Sequence, residues 1–153
     1  MPWLELKIPP PVVTALCALA MWGVSLHTPL VAAGEPARLC AALLIALAGF
    51  GFLVAGVVSF RLAKTTVNPL KPETATALVR SGVYRITRNP MYVGFALLLV
   101  AWAVYLASLW TLLGPLVQMA YITRFQILPE ERALTLLFGA EFTAYRETVR
   151  RWL

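Results

Sequence analysis

Two short polar segments of this sequence hold the residues whose types and spacing could do chemistry. The first covers residues 76–94 and includes the pair Asn89 and Pro90, and the second begins with the carboxylates Glu130 and Glu131. An Asn-Pro pair predicts a capped helix start, whose free N–H groups and positive dipole end suit a carboxylate or phosphate. A pair of carboxylates could instead hold a cationic ligand.

Each of these features also has a purely structural explanation. Asn89 and Pro90 would by themselves start a helix, and Glu130 and Glu131 would by themselves offset the dipole at the start of the last helix. Three aromatic residues would ordinarily belong to a membrane-interface belt but could also stack on a cation or a purine: Tyr84, Tyr92 and Tyr145. The structural and the functional interpretations therefore both remain open at this stage.

The composition predicts an integral membrane protein. Of the 153 residues, 60% are hydrophobic and 13% are charged, and the mean hydropathy is +0.77, values that soluble domains of this size rarely show. The excess of Lys and Arg over Asp and Glu, 13 to 7, lies beside apolar runs. This distribution favours membrane lipid over nucleic acid as the partner. Too few residues remain outside the apolar runs for a second domain, so we expect one domain, residues 1–153.

The apolar runs predict an all-α bundle of four transmembrane helices, the third and fourth forming a helical hairpin. The expected spans are residues 11–28, 39–60, 90–108 and 111–127. No charge occurs between Arg88 and Arg124, a stretch too long for one straight span and long enough for two short ones. After Gln126 apolar residues recur every three to four positions, which predicts an amphipathic C-terminal helix on the membrane surface or on the bundle.

The distribution of basic residues predicts that both termini are cytoplasmic. In that orientation twelve of the thirteen basic residues lie on the cytoplasmic side, and only Arg38 lies outside. Segments 61–89 and 128–153 then form one cytoplasmic surface, because the hairpin between them brings its own ends together. We expect the functional site at this surface, in the cell membrane of a bacterium or an archaeon.

Metal chemistry and proton-coupled transport lack support in the sequence. His27 has no His, Cys or Asp partner near it, and Cys17 and Cys40 do not have the spacing of metal ligands, so no metal site is predicted. The two cysteines are expected to be small buried apolar residues, with a disulfide or a reactive thiol as the alternatives. All seven acidic residues are Glu and none lies in a predicted span, which disfavours a proton-coupled transporter.

The two polar segments together resemble the isoprenylcysteine carboxyl methyltransferase and phospholipid methyltransferase superfamily of integral membrane enzymes. The resemblance is carried by Ser-Gly-Val-Tyr-x-x-x-Arg-Asn-Pro-x-Tyr-x-Gly at residues 81–94. It continues with Glu-Glu-x-x-Leu-x-x-x-Phe-Gly-x-x-Phe-x-x-Tyr at residues 130–145. The part of the chain that resembles the superfamily is residues 65–152.

The resemblance implies methyl transfer from S-adenosylmethionine to a lipophilic or small thiol, carboxylate or amine acceptor at the cytoplasmic side. The residues that it places around the cofactor are Thr76, Ala77, Leu78, Val79, Tyr84, Asn89, Pro90, Met91, Tyr92, Glu130 and Glu131. It places Arg124 and Gln126 near the acceptor, and it implies no particular catalytic base. Two alternatives remain, a non-catalytic membrane scaffold or assembly subunit, which would not bind the cofactor, and a small transporter.

The sequence departs from the superfamily pattern at three positions. Thr76 stands where the superfamily often has His. Asn89 stands where the superfamily has His, and an amide can donate or accept a hydrogen bond but cannot titrate. Gln126 stands where the eukaryotic members have an Arg that contacts the carboxylate of prenylcysteine, and Arg124 lies half a turn away. These departures argue against imidazole-dependent proton transfer at residue 89 and against prenylcysteine as the acceptor.

Overall fold

The computed structural model describes residues 4–31, 34–64 and 74–153, and residues 65–73 of the predicted segment 61–89 lie outside this description. All regular secondary structure in these ranges is helical, which confirms the all-α class. The α-helices are α1, Pro10–Ser25; α2, Glu35–Leu62; α3, Pro90–Leu106; α4, Leu113–Ile122; and α5, Leu128–Thr148. Two short 3-10 helices cover Gly82–Arg85 and Leu109–Leu112, and a π-helical turn, Thr123–Ile127, joins α4 to α5.

Every apolar run that was predicted to span the membrane forms a helix. Proline occupies the first turn of α1, α2, α3 and α5, where its missing N–H costs no intrahelical hydrogen bond. Within the described ranges one helix, α2, is long and apolar enough to cross a bilayer, and α1 and α3 are shorter apolar helices. The four spans and their bounds therefore stay a prediction; an α-helix overlaps each predicted span, and in the fourth it is ten residues long.

Helices α2 and α3 pack as antiparallel neighbours through close backbone contact. A Cβ added to Gly49 would lie 2.9 Å from the carbonyl oxygen of Gly94, and a Cβ added to Gly94 would lie 2.7 Å from that of Gly49. Further along, a Cβ on Gly56 would lie 2.7 Å from Cγ of Met91. The absence of these side chains lets the two backbones approach, and the C-terminal half of α2 thereby supports the start of α3.

The hairpin between α3 and α4 is present where the turn was expected. Helix α3 ends at Leu106, and Ala107 adopts the left-handed conformation that often terminates a helix. The hydroxyl of Thr111 donates to the carbonyl of Ser108 at 2.5 Å, and the Ser108 hydroxyl lies 2.7 Å from that of Thr28. Because the hairpin is antiparallel, the end of α4 lies beside the start of α3. This arrangement brings Tyr92 close to the π turn.

The π turn at Thr123–Ile127 has no counterpart in the prediction. A π turn holds one residue more than an α-helical turn, so it rotates everything that follows by about 100° around the helix axis. The carbonyl of Phe125, inside this turn, accepts a hydrogen bond from the N–H of Leu6 at 3.0 Å. The turn therefore sets which residues of α5 face α3, and it ties the N-terminal segment to the bundle.

The predicted amphipathic C-terminal helix is confirmed as α5, but it ends earlier and is less straight than its periodicity suggested. Gly139 has φ 52° and ψ −122°, a conformation that favours glycine, and α5 bends there. Val149, which continues the apolar periodicity, is extended and lies beyond the end of the helix. Residues 149–153, which we call the C-terminal tail, run back beside the segment that precedes α3.

Candidate functional site

The centre of the candidate site is a hydrogen bond between Tyr92 and Glu130. The Tyr92 hydroxyl donates to Oε1 of Glu130 at 2.5 Å across 38 residues of sequence. Tyr92 lies in the first turn of α3 and is 5% exposed, and Glu130 lies in the first turn of α5. The structure thus brings together the two polar segments that the sequence singled out, because the hairpin and the π turn place these helix starts side by side.

The carboxyl group of Glu130 is electrostatically suited to receive a cation. Burial raises the pKa of Glu130 to about 8, the hydrogen bond from Tyr92 opposes this rise, and the negative charge of Glu131 adds to it. A positively charged ligand beside Glu130 would favour the carboxylate and lower this pKa again. The site can therefore couple the binding of a cation to the release of a proton.

Two further tyrosines that the sequence singled out lie beside this contact. Tyr84 and Tyr145 are both buried, and the Tyr145 hydroxyl donates to the carbonyl oxygen of Tyr84 at 2.7 Å. The ring of Tyr84 meets that of Phe60 edge to face, with 5.5 Å between centroids. Burial, and then the charges of Tyr145 and Glu130, raises the pKa of Tyr84. Tyr145 holds the backbone of Tyr84 in place, while Tyr84 itself lies within electrostatic range of Glu130.

The start of α3 differs from the expected side-chain cap. Asn89 occupies the N-cap position, but its side chain makes no capping hydrogen bond and its Nδ2 donates instead to the carbonyl of Arg151 at 3.0 Å. The cap expected from Asn89 is therefore wrong, because a carbonyl of the C-terminal tail takes up the amide. Pro90 has no N–H, so the donors that this helix start offers are the backbone N–H groups of Met91 and Tyr92.

Glu130 and Glu131 do not act as a pair of carboxylates. Glu131 is 7% exposed and accepts hydrogen bonds from Nη2 of Arg88 at 2.8 Å and from Nε and Nη2 of Arg151 at 3.0 and 2.7 Å. Burial raises the pKa of Glu131, but the hydrogen bond and charge of Arg151 and the charge of Arg88 outweigh it and hold this pKa below its ordinary value. The negative charge of Glu131 is thus balanced by two arginines of the same chain. Glu130 is the carboxyl group that remains for a ligand.

The C-terminal tail fixes the segment that leads into α3, and the sequence did not predict this. The N–H of Arg88 donates to the carbonyl of Arg150 at 2.9 Å, and the Thr87 hydroxyl donates to that of Arg151 at 3.1 Å. Nη1 of Arg88 reaches the carbonyls of Arg146 and Val149 at 2.9 and 3.1 Å. These acceptors are main-chain groups, so no pattern of side chains signals them. The feature of the sequence that could have indicated these contacts is an arginine, Arg88, directly before the Asn-Pro pair.

The residues predicted near the acceptor have different environments. Gln126, on the π turn, is 1% exposed and its side chain hydrogen-bonds Tyr92. Arg124 is exposed and pairs with Glu5 at 2.7 Å, and Glu5 also pairs with Arg132. The structure therefore brings Gln126 to the centre of the site, while Arg124 anchors the N-terminal segment.

The remaining residues predicted around the cofactor are residues 76–79 and, in the first turn of α3, Pro90 and Met91. Residues 76–79 form irregular chain, and the next residue, Arg80, pairs with Glu141 of α5 at 2.9 Å. Val79 is buried, and the side chain of Met91 packs over Gly56 of α2. Contact of Thr76, Ala77, Leu78 and Val79 with a cofactor stays a prediction.

No metal-ligand cluster is found in the part of the chain that the structure describes, and of the two cysteines Cys17 packs against the buried cluster that contains Tyr92. Among the described residues no three His, Cys, Asp or Glu side chains come together in a way that could hold a metal ion. Cys17 and Cys40 are free thiols; Cys17 is half-buried, whereas Cys40 is exposed on α2, so its expected burial inside the protein is wrong. Cys40 projects outward from the apolar helix α2 and not toward the site.

Comparison with known proteins relates this site to one family. The sequence profile of the phospholipid methyltransferase family matches residues 36–141, more than half of the chain, and the match includes Tyr92, Glu130 and Glu131. A protein of Haemophilus influenzae, described as an uncharacterized protein, is 40% identical over 63 residues, which are 41% of this chain and 100% of that protein. No solved structure gives a significant match.

Proposed function

Because the chain belongs to the phospholipid methyltransferase family, we propose that it is a membrane enzyme that transfers a methyl group from S-adenosylmethionine to a lipophilic or small acceptor. The family supports methyl transfer, and the long apolar helix α2 supports a location in the membrane. The observation that carries the proposal is the hydrogen bond between Tyr92 and Glu130, which puts a half-buried carboxyl group beside an aromatic ring where two helices begin.

The residues at this place fit the cofactor chemically. S-adenosylmethionine carries an ammonium group, a carboxylate, a sulfonium cation and an adenine ring. Glu130 would hold the ammonium group, and the N–H groups of Met91 and Tyr92 at the start of α3 would hold the carboxylate. The rings of Tyr84 and Tyr92 would attract the sulfonium or stack on the adenine.

The chemistry asks little of the protein beyond positioning. When bound, S-adenosylmethionine would supply an already activated methyl group to the acceptor's nucleophile and would leave as S-adenosylhomocysteine. The protein's own residues must hold the two reactants about 3 to 3.5 Å apart in line and exclude water. The hydrogen bonds from Tyr92 to Glu130, from Tyr145 to Tyr84 and from Arg151 to Glu131 would hold these side chains in place for that task.

Access from two phases explains why such a site would lie at a membrane. We place α1, α2, α3 and α4 as four spans with both termini in the cytoplasm, which the distribution of Lys and Arg supports. The polar cofactor then enters from the cytoplasm, and a lipophilic acceptor reaches Tyr92 from the bilayer. The buried amide of Gln126 beside Tyr92 could hydrogen-bond the polar end of a thiol, carboxylate or amine acceptor.

Calorimetric titration of the purified full chain in detergent tests the proposal. The wild type should bind S-adenosylmethionine or its demethylated product S-adenosylhomocysteine, and Glu130→Gln should weaken binding by about 1 to 3 kcal/mol because a charge-assisted contact is lost. Glu141→Gln is the matched control, since Glu141 lies on the same helix but pairs with Arg80. If the wild type takes up neither ligand, the enzyme proposal fails and a non-catalytic membrane scaffold becomes the better explanation.

A further inference from the structure

The N-terminal segment, residues 4–8, supplies the π turn with a hydrogen bond that the helix itself cannot make. In an α-helix the carbonyl of Phe125 would accept from the N–H four residues later, but that residue is Pro129, which has no N–H. The N–H of Leu6 donates to this carbonyl at 3.0 Å. A main-chain donor of the N-terminal segment thus takes the place of the helical partner that proline removes.

The carboxylate of Glu5 bridges the stretch of chain that carries two residues of the candidate site. Its Oε1 accepts from Nη1 of Arg124 at 2.7 Å, and its Oε2 accepts from Nη2 of Arg132. Arg124 lies two residues before Gln126, and Arg132 lies two residues after Glu130. The side chain of Glu5 is 15% exposed and is better shielded from solvent than either arginine. One carboxylate therefore spans both the π turn and the first turn of α5.

The N-terminal segment keeps this position at a cost to its own backbone. Leu6 has φ 56°, in the left-handed region that residues other than glycine rarely adopt. Such a conformation persists where the surrounding contacts impose it. Two residues further, Ile8 packs against the buried cluster that contains Tyr92 and Ile127. The segment is thus held against the π turn on one side and against the cluster around Tyr92 on the other.

We propose that Glu5 is a positioning residue, which acts on the candidate site through the π turn. While Glu5 binds both arginines, the π turn is kept and Glu130 faces Tyr92. A π turn contains one residue more than an α-helical turn, so its loss would rotate α5 by about 100° and turn Glu130 away from Tyr92. For cofactor binding this role rests on the proposed function, whereas the effect of Glu5 on the π turn is independent of it.

Hydrogen exchange of the full chain in detergent, followed by mass spectrometry, tests the effect on the π turn. Glu5→Gln and Arg132→Gln should each speed the exchange of the amides of residues 124–131 by about three- to tenfold, because one arm of the bridge is lost. Arg132→Lys should exchange as the wild type does, since the contact with Glu5 uses one nitrogen and the charge is kept. Lys7→Gln is the matched control, because Lys7 is exposed in the same segment. Wild-type exchange in Glu5→Gln would overturn the proposal.

Calorimetric titration with S-adenosylhomocysteine tests the role of Glu5 in the site. Glu5→Gln should weaken binding by about three- to tenfold in the wild-type background and hardly at all in a Glu130→Gln background, because Glu5 acts through Glu130. Arg132→Lys and Lys7→Gln should bind as the wild type does. An equal loss of affinity in both backgrounds would overturn the positioning role.

The two experiments separate this role from the proposed function. If the wild type does not bind S-adenosylhomocysteine, the proposed function fails, and with it the role of Glu5 in cofactor binding. Faster exchange confined to Glu5→Gln and Arg132→Gln would then still show that Glu5 holds the π turn.

Discussion

Arg151 binds the carboxylate of Glu131 through two hydrogen bonds, from Nε to Oε1 at 3.0 Å and from Nη2 to Oε2 at 2.7 Å. This pair fixes the C-terminal tail to the first turn of α5. The backbone carbonyl of Arg151 in turn accepts hydrogen bonds from Thr87 and Asn89, directly before α3. The tail therefore connects the two helix starts that form the candidate site, and the geometry between Tyr92 and Glu130 depends on a residue that touches neither of them.

Replacing Arg151 with Ala should loosen this connection. We expect Arg151→Ala to destabilise the protein by about 1.5 to 3 kcal/mol, because Glu131 is buried and loses two charge-assisted hydrogen bonds. Thermal unfolding in detergent would measure the change. Affinity for S-adenosylhomocysteine should fall as well, since the start of α3 is no longer held in place.

Arg150→Ala serves as the control for this change. Arg150 is exposed, and its contribution to the connection is a main-chain carbonyl that accepts from the N–H of Arg88, so removing its side chain should leave stability and affinity nearly unchanged. Arg151→Lys should recover part of the loss because it restores the charge but not the bidentate geometry. Equal effects of Arg150→Ala and Arg151→Ala would contradict the positioning role of the Arg151 side chain.

The sequence was sufficient to predict the all-α class and the meeting of the polar segment before α3 with the one that begins at Glu130. Apolar runs bounded by prolines specify where helices start, because proline is tolerated in a first turn and disfavoured further inside. A charge-free stretch between Arg88 and Arg124 requires a hairpin, and a hairpin brings its ends together. The proximity of the two polar segments thus follows from length and composition alone.

The different surroundings of the Glu130 and Glu131 side chains were not predicted, although they follow from helix geometry. Consecutive residues of an α-helix project about 100° apart, so the two carboxylates cannot both face one ligand. Which of them faces Tyr92 is decided by the π turn, a local deviation for which the sequence carries no recognisable pattern. Three contacts of the tail were equally hidden, because Arg88, Thr87 and Asn89 donate to its main-chain carbonyls, which every residue has.

The close approach of α2 and α3 can be tested by adding one methyl group. Gly49→Ala should destabilise the protein by about 1 to 3 kcal/mol, because its Cβ would lie 2.9 Å from the carbonyl of Gly94 and the backbones would have to separate. Gly51→Ala, two residues along the same helix, has nothing within 4 Å of the added Cβ. It should be neutral or slightly stabilising, since Ala favours a helix more than Gly does. Thermal unfolding of both variants in detergent shows whether the loss of stability comes from the contact with Gly94 or from any Gly-to-Ala substitution in α2.

The Tyr145 hydroxyl should contribute to the site through Tyr84. Tyr145→Phe leaves the buried carbonyl of Tyr84 without its donor, so we expect a loss of about 1 to 3 kcal/mol in the free energy of unfolding, measured as a lower unfolding temperature. Cofactor affinity should also decrease, because Tyr84 lies beside Glu130. Tyr105→Phe is the control, since Tyr105 is 49% exposed at the far end of α3. A Tyr145→Phe protein with wild-type stability and affinity would show that the Tyr145 hydroxyl does not position Tyr84.

The binding of the cofactor should depend on pH through Glu130. The pKa of Glu130 is raised to about 8, so in the unliganded protein at neutral pH most of this carboxyl group is protonated. An ammonium group binds the carboxylate form, and binding below pH 8 therefore releases a proton. Affinity for S-adenosylhomocysteine should rise as pH increases toward 8, by up to about tenfold per pH unit.

Calorimetry in buffers of different ionisation enthalpy measures both the affinity and the number of protons released. For the wild type we expect release approaching one proton well below pH 8 and declining as the pH passes the pKa of Glu130. Glu130→Gln cannot titrate, so its affinity should be lower at pH 8 and should lose this rise with pH. Glu131→Gln should keep the rise, because the pKa of Glu131 is lowered by its arginines and it is already ionised over this range. A wild-type affinity that does not change between about pH 6 and pH 8 would mean that Glu130 does not receive the ammonium group.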